Sequence, residues 1–291
     1  MKPRNKWEPW LFSAPALIVY IGVVIVPVIW SLMYSFYDWN GISSMEFAGL
    51  DNYTRMFTDR TLGISIINNL VFMAVGTLFQ ICSGLIMAII LSNISRGSNV
   101  MRVIYFIPCI ISSMAICKIF DKLLSVEPQG VIAALMELLG MKQIALLSEP
   151  RWALLVVTLI DGYKFCGLYM VIFYSAFMTI SNDVVEAAYI DGCTWSQQYR
   201  YIKLPMIRNI FFVALVFVIN GTLKGFDVSY ILTGGGPGNA SELVATYLYK
   251  TAFNSTKFGY GSALSVFLLA ESLLAVGLVR LFQTRANHLE G

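Results

Sequence analysis

Asp161 and Lys164 stand three residues apart in an otherwise apolar stretch, so a helix there carries both charges on one face. Two readings fit: an internal ion pair that orients the helix, or a polar face lining a cavity. In the second, the neighbouring rings of Tyr163, Phe165 and Tyr169 suit stacking on the flat face of a ligand. A second polar run, Asn220, Gly221, Thr222 and Lys224, with Phe226 and Asp227 beyond it, interrupts another apolar stretch. Glu271 is a lone carboxylate among Leu, Ala and Val, suited either to such a cavity or to a bond with a neighbouring helix. Hydrolytic chemistry would need two carboxylates, or a Ser with a His, at one depth, and no such set can be drawn. His288 is the sole histidine and lies in the polar tail, so neither a metal site nor a catalytic base assembles around it. Cys82, Cys109, Cys117, Cys166 and Cys193 are odd in number, lack C-x-x-C spacing and read as small core residues.

Residues 181–205, SNDVVEAAYIDGCTWSQQYRYIKLP, are ordered in a different way. Asp183 is placed to cap a helix with Glu186 as its reciprocal partner, and Gly192 stands where that helix would end. Thr194 with Gln197 predicts a second cap, followed by a helix through Ile202 that stops near Pro205. Two short capped helices around a turn form either a surface that another protein grips or a helix pair lying in the headgroup layer.

The elements that must hold these residues follow from composition. The chain has 291 residues, 57% hydrophobic and 13% charged, too apolar for an ordinary soluble domain. A helix needs about 20 apolar residues to cross a bilayer, and six stretches qualify: about 11–37, 66–91, 103–123, 153–180, 210–231 and 262–282. The predicted class is an all-α polytopic membrane bundle, one domain over residues 1–291. The first apolar stretch is too long for a cleaved signal peptide. Pro15, Pro27 and Pro108 predict kinks rather than breaks. The basic residues Lys2, Arg4, Lys6, Arg96, Arg102, Arg200, Lys203, Arg208, Arg280 and Arg285 are the denser set along the loops, which places both termini in the cytoplasm. On the opposite side, residues 130–140 predict a short amphipathic surface helix, and TGGGPG from Thr233 predicts a turn. A net charge of +3, scattered over span flanks without interleaved aromatics, gives no nucleic-acid surface and suits acidic lipid headgroups instead.

Glu186, Ala187, Ala188, Gly192, Ile202, Leu204 and Pro205 reproduce, at matching spacing, the EAA signature of importer permeases of the ATP-binding cassette class. GLDNYTRMF from Gly49, ILTGGGPGNAS from Ile231 and GYGSALS from Gly259 are similar to stretches of the maltose-type carbohydrate branch. The resemblance implies a permease subunit in a bacterial cell membrane, with residues 181–205 seated in a groove of an ATPase partner. Small Ala187 and Ala188 would permit close approach, and Glu186 would cap or pair with a partner arginine. It implies further a second homologous permease, two ATP-binding cassette subunits holding ATP and Mg2+, and an extracellular solute-binding protein. No G-x-x-x-x-G-K-[ST] run occurs, so ATP hydrolysis is expected on the partners, and no cofactor on this chain. The implied cargo is a mono- or oligosaccharide, its pathway lined tentatively by Asp161, Tyr163, Lys164, Phe165, Tyr169, Asn220, Lys224 and Asp227. The alternative cargo is glycerol-3-phosphate or another polar solute, which would want an arginine cluster where the spans offer chiefly Lys164 and Lys224. A channel would need a polar ring and selectivity signature that the sequence lacks.

Overall fold

A computed structural model describes residues 8–94 and 96–288; Lys2, Arg4 and Lys6 lie outside them, as does the side chain of His288. The regular elements of the described chain are helices apart from one two-residue strand pair, and it divides into two compact units.

The first unit comprises Met1–Arg60 and Leu248–Leu269. Its opening span, Trp10–Tyr34, is built from α1 (Glu8–Tyr20), a π-turn (Ile21–Ile25) and α2 (Val26–Tyr34), and none of its most apolar window is buried. Pro27 follows the π-turn, where the wider helical turn accommodates its missing N–H. β1 (Tyr37–Asp38) and β2 (Glu46–Phe47) then pair antiparallel, with Tyr37 opposite Phe47. The GLDNYTRMF stretch folds as α3 (Asp51–Thr58). Its Asn52 amide donates to the carbonyls of Ser35 and Tyr37 at 3.0 and 2.9 Å, tying α3 to the end of the first span. In the same unit Tyr260 donates to Asp59 at 2.7 Å while the Arg55 guanidinium lies 4.6 Å from its ring centre. Gly259 lies against the Tyr37 carbonyl, a contact that leaves no room for a β-carbon.

The second unit, Thr61–Tyr247 and Ala270–Gly291, contains α4 (Arg60–Ser92), α5 (Ser98–Ile110), α6 (Ser113–Leu124), α7 (Val131–Leu138) and α8 (Pro150–Met178). It continues through α9 (Asn182–Ile190), α10 (Trp195–Gln198), a π-turn (Tyr199–Lys203), α11 (Leu204–Met206), α12 (Arg208–Leu223), α13 (Asp227–Leu232) and α14 (Val244–Tyr249). α15 (Phe258–His288) supplies residues to both units. Among the described residues five helices, or six counting one bent pair, are long and apolar enough to cross a membrane. Crossings are close because glycines stand at them. A β-carbon on Gly84 of α4 would come within 2.8 Å of Tyr169 on α8, and one on Gly167 would collide with the Tyr105 carbonyl of α5.

Two expectations about spans are corrected. The third span is broken: α5 and α6 meet at 95° because Ile111 and Ser112 are extended, three residues past the missing amide of Pro108. The fifth is also interrupted, at Lys224, Gly225 and Phe226, where Phe226 adopts φ −136° and the chain restarts as α13. The short helix expected within 130–140 forms as α7, and the glycine run after α13 forms a loop closed by hydroxyls. Ser241 donates to the Gly236 carbonyl at 2.5 Å and shares a 2.7 Å hydrogen bond with Thr233, while Ser229 donates to the Ser241 carbonyl at 2.7 Å.

Candidate functional site

Residues 182–206 form the first candidate. Here capping differs in part from expectation. The N-cap of α9 is Ser181, without a side-chain bond, so Asp183 lies inside the first turn and contributes through the helix dipole instead. The other end closes as a Schellman motif: Gly192 N–H donates to Tyr189 and Cys193 N–H to Ala188, at 3.1 and 3.0 Å, with Gly192 at φ +78°. A β-carbon at Gly192 would meet nothing within 4 Å, so the need there is for the left-handed backbone and not for space. Thr194 and Gln197 form the reciprocal cap. The second helix then widens into a π-turn holding Ile202, and Pro205 sits in the first turn of α11 without ending the run, because an early helical position has no amide to lose.

Tyr199 anchors this segment. Its ring is 4% exposed, edge-on to Phe177 of α8 at 5.6 Å and tilted against Trp195 at 4.7 Å, with the Lys203 ammonium 4.4 Å from its centre. Its hydroxyl shares a 2.8 Å hydrogen bond with Ser92 and accepts one of 2.9 Å from Asn93, and Trp195 donates to Asn93 at 3.2 Å. The ends of α4 and α8 thus grip one side of the segment. The other side is open: Glu186 and Ala187 are exposed, Ala188 is buried, and Tyr189 and Ile190 are 77% and 83% exposed at the tip of α9. Ile202 and Leu204 are half-buried and Pro205 is exposed.

The second candidate is a cavity of about 430 Å3 lined by α4, α8 and α12, with Gln80, Asp161, Phe165, Tyr169, Phe217 and Thr222 among its walls. Asp161 and Lys164 share a helix face but do not form the ion pair considered from sequence, because each has a nearer partner on another helix. The Asp161 carboxylate accepts from Gln80 of α4 at 3.3 Å. The Lys164 ammonium donates to Ser113, the first residue of α6, and lies 4.9 Å from the Phe165 ring centre. Ser113 in turn donates to Asp227, the first residue of α13, at 2.8 Å. Lys164, Ser113 and Asp227 therefore join the two helix restarts.

Phe165 and Tyr169 face the cavity, whereas Tyr163 is half-exposed and packs edge-on against Phe120 at 5.4 Å. Lys224 is exposed and outside the lining, and Asn220 is half-buried with an unbonded Oδ1 beside the lining residue Gly221. Glu271 has Asn69 of α4 as its side-chain neighbour. Sequence reasoning missed Gln80, Ser113 and Phe217. Gln80 carried a readable signal as an amide in the middle of an apolar span; Ser113 carried none until the α5–α6 break was visible.

A multi-span helical fold with one gripped loop and a largely apolar cavity around Gln80 and Asp161 suits a membrane permease. The chain belongs to the family described as the binding-protein-dependent transport system inner membrane component, matched over residues 80–288. It is a multi-pass inner-membrane permease of the ATP-binding cassette importers and not itself an ATPase. It is 32% identical to the probable ABC transporter permease protein YurN of Bacillus subtilis (strain 168), over 98% of this chain and 99% of that one. It is 28% identical to the trehalose/maltose transport system permease protein MalF of Thermococcus litoralis, over 91% and 90%. Among solved structures, a bacterial ABC transporter involved in import of the acidic polysaccharide alginate has the same fold, with TM-score 0.84 and 21% identity over 96% of both chains. A second structure of the alginate transporter, in complex with an alginate pentasaccharide-bound periplasmic protein, gives 0.85.

Proposed function

We propose that this chain moves a neutral mono- or oligosaccharide through the α4–α8–α12 cavity, driven by ATP hydrolysis on partner subunits that grip residues 182–206. The observation that carries the reading is the contrast within that segment: Tyr199 is fixed to α4 and α8, while Glu186, Ala187, Tyr189 and Ile190 stand open to a partner. A push on the open side is carried by α8 to Asp161 and Phe165, on the cavity wall. The complex comprises a second homologous permease, two ATP-binding cassette subunits holding ATP and Mg2+, and an external solute-binding protein, with both termini of this chain cytoplasmic.

Support for a neutral cargo comes from the charges. Asp161 is the one carboxylate on the cavity wall, which carries no Lys, Arg or His, and Lys164 is already committed to Ser113. A phosphate or carboxylate would enter opposite a carboxylate and find no free cation, which favours sugar hydroxyls and aromatic stacking over glycerol-3-phosphate. Relatives named for lactose, and for trehalose and maltose, agree with this class. The test is ligand binding by the solute-binding protein of the same transport system, followed by uptake into proteoliposomes of the whole complex. Retention and uptake of neutral glycans support the reading; selective retention and uptake of glycerol-3-phosphate or uronates overturn it.

A further inference from the structure

The end of α8 farthest from residues 182–206 carries a separate pocket of about 430 Å3, formed where the loop after α7 meets the first turn of α8. Lys142 and Arg151 contribute an ammonium and a guanidinium, Glu149 a carboxylate, and Trp152 a ring that is 44% exposed. None of these charges is used within the fold: among the described residues, neither cation forms an ion pair with Glu149 or with any other carboxylate. The loop is held by other groups. Glu137 accepts from Gln129 at 2.5 Å and from Gln143 at 3.0 Å, which fixes the backbone beside Lys142 without engaging its charge.

Depth identifies what such a pocket meets. α8 has 29 residues. At about 1.5 Å per residue it is longer than the roughly 30 Å hydrocarbon core, so its first turn emerges among the headgroups. Arg and Trp at such a position are typical of that layer. The adjoining surface is apolar, with Leu138 and Leu139 at the end of α7 exposed by 82% and 65%.

We propose that this pocket binds the headgroup of a phospholipid whose phosphate is followed by a primary ammonium. Lys142 and Arg151 take the phosphate, Glu149 takes the ammonium, and Trp152 and Ile144 pack against the glycerol and upper acyl chain. The presence of Glu149 selects this chemistry. An anionic headgroup without an ammonium sets its charge against the carboxylate, and a quaternary ammonium offers Glu149 no N–H to accept.

The test reads retained lipid. The full chain is placed in nanodiscs of equal phosphatidylethanolamine, phosphatidylglycerol and phosphatidylcholine, extracted gently, and its bound lipid counted by mass spectrometry. The wild type should retain phosphatidylethanolamine about fivefold over either competitor, the scale of a partly exposed charged pair. Glu149→Gln should abolish the preference over phosphatidylglycerol, and the double variant Lys142→Gln, Arg151→Gln should retain all three equally. These side chains make no internal bonds, so the variants should melt with the wild type. Equal retention by wild type and double variant would overturn the proposal. So would a preference unchanged by Glu149→Gln, or release of the lipid by inorganic phosphate alone, which would mark a soluble-anion site.

Discussion

Residues 182–206 follow the C-terminal end of α8, the α4–α8–α12 cavity lies along its middle, and the two are stabilised in opposite ways. The segment is held by local devices: a Schellman turn at Gly192, a reciprocal cap at Thr194, and one buried tyrosine whose hydroxyl is fully used. The cavity is held by long-range ones: an amide 81 residues from its carboxylate, a serine 51 residues from its lysine, and glycines that let whole helices touch. A surface that receives a push must be stiff in itself, and local capping makes it so. A cavity that must open and close is better hung from interhelical contacts that can rearrange together.

This contrast is broken most forcefully at the anchor. Tyr199→Ala removes a buried ring packed on Phe177 and should cost about 3–5 kcal/mol of local stability. Transport should fall to background while the ATPase of the assembled complex persists, uncoupled. Tyr199→Phe keeps the ring and loses only the bonds to Ser92 and Asn93, about 1–2 kcal/mol, and should retain partial coupling. If both variants transport like the wild type, the segment is not held through Tyr199.

Next in size is the crossing of α5 with α8, the helix that supplies Asp161, Phe165 and Tyr169 to the cavity wall. Gly167→Val drives two methyl groups and a β-carbon into the Tyr105 carbonyl, an overpacking of about 1–3 kcal/mol or more. Thermal unfolding in detergent should show the loss, and substrate affinity should change more than coupling does. A variant that melts and transports normally would mean that α5 and α8 slide apart freely.

The same contrast decides what the sequence could reveal. The Thr194–Gln197 cap, the Gly192 stop and the six apolar stretches depend on neighbours a few positions away, so they were readable. Residue type fixed only part of the rest. Asp183 looked like a cap because Glu186 stands three residues on, but Ser181 took that place, and nothing local ranks the two. Pro108 signalled a disturbance, yet the 95° turn occurs at Ile111 and Ser112, where no residue type demands extended backbone. Asp161, Lys164 and Asp227 were singled out for their charge in apolar surroundings, while their partners Gln80 and Ser113 are set by packing between helices distant in sequence.

A finer probe of the segment separates backbone from space at Gly192. Open space surrounds the position, so Gly192→Ala should cost about 1–2 kcal/mol through the left-handed backbone alone, and Gly192→Asn, which tolerates that region, clearly less. With the complex assembled, a bulky Gly192→Val should insert normally and uncouple hydrolysis from uptake. Equal coupling in the Asn and Val variants would remove Gly192 from the mechanism.

The smallest change addresses the cavity charge. Asp161→Asn keeps the size of the side chain and a carbonyl oxygen for the Gln80 amide, so stability should move by about 1 kcal/mol or less. Its effect should appear in selectivity. With the carboxylate gone the cavity wall carries no Asp, Glu, Lys, Arg or His, and an anionic analogue of the transported sugar should compete roughly tenfold better than with the wild type, while the neutral sugar keeps its KM within about threefold. Coupling measured at saturating sugar should stay as it was, because no contact of residues 182–206 is touched. If Asp161→Asn instead uncouples hydrolysis while leaving selectivity intact, the charge belongs to the transmission of the push along α8, and the two regions are one device.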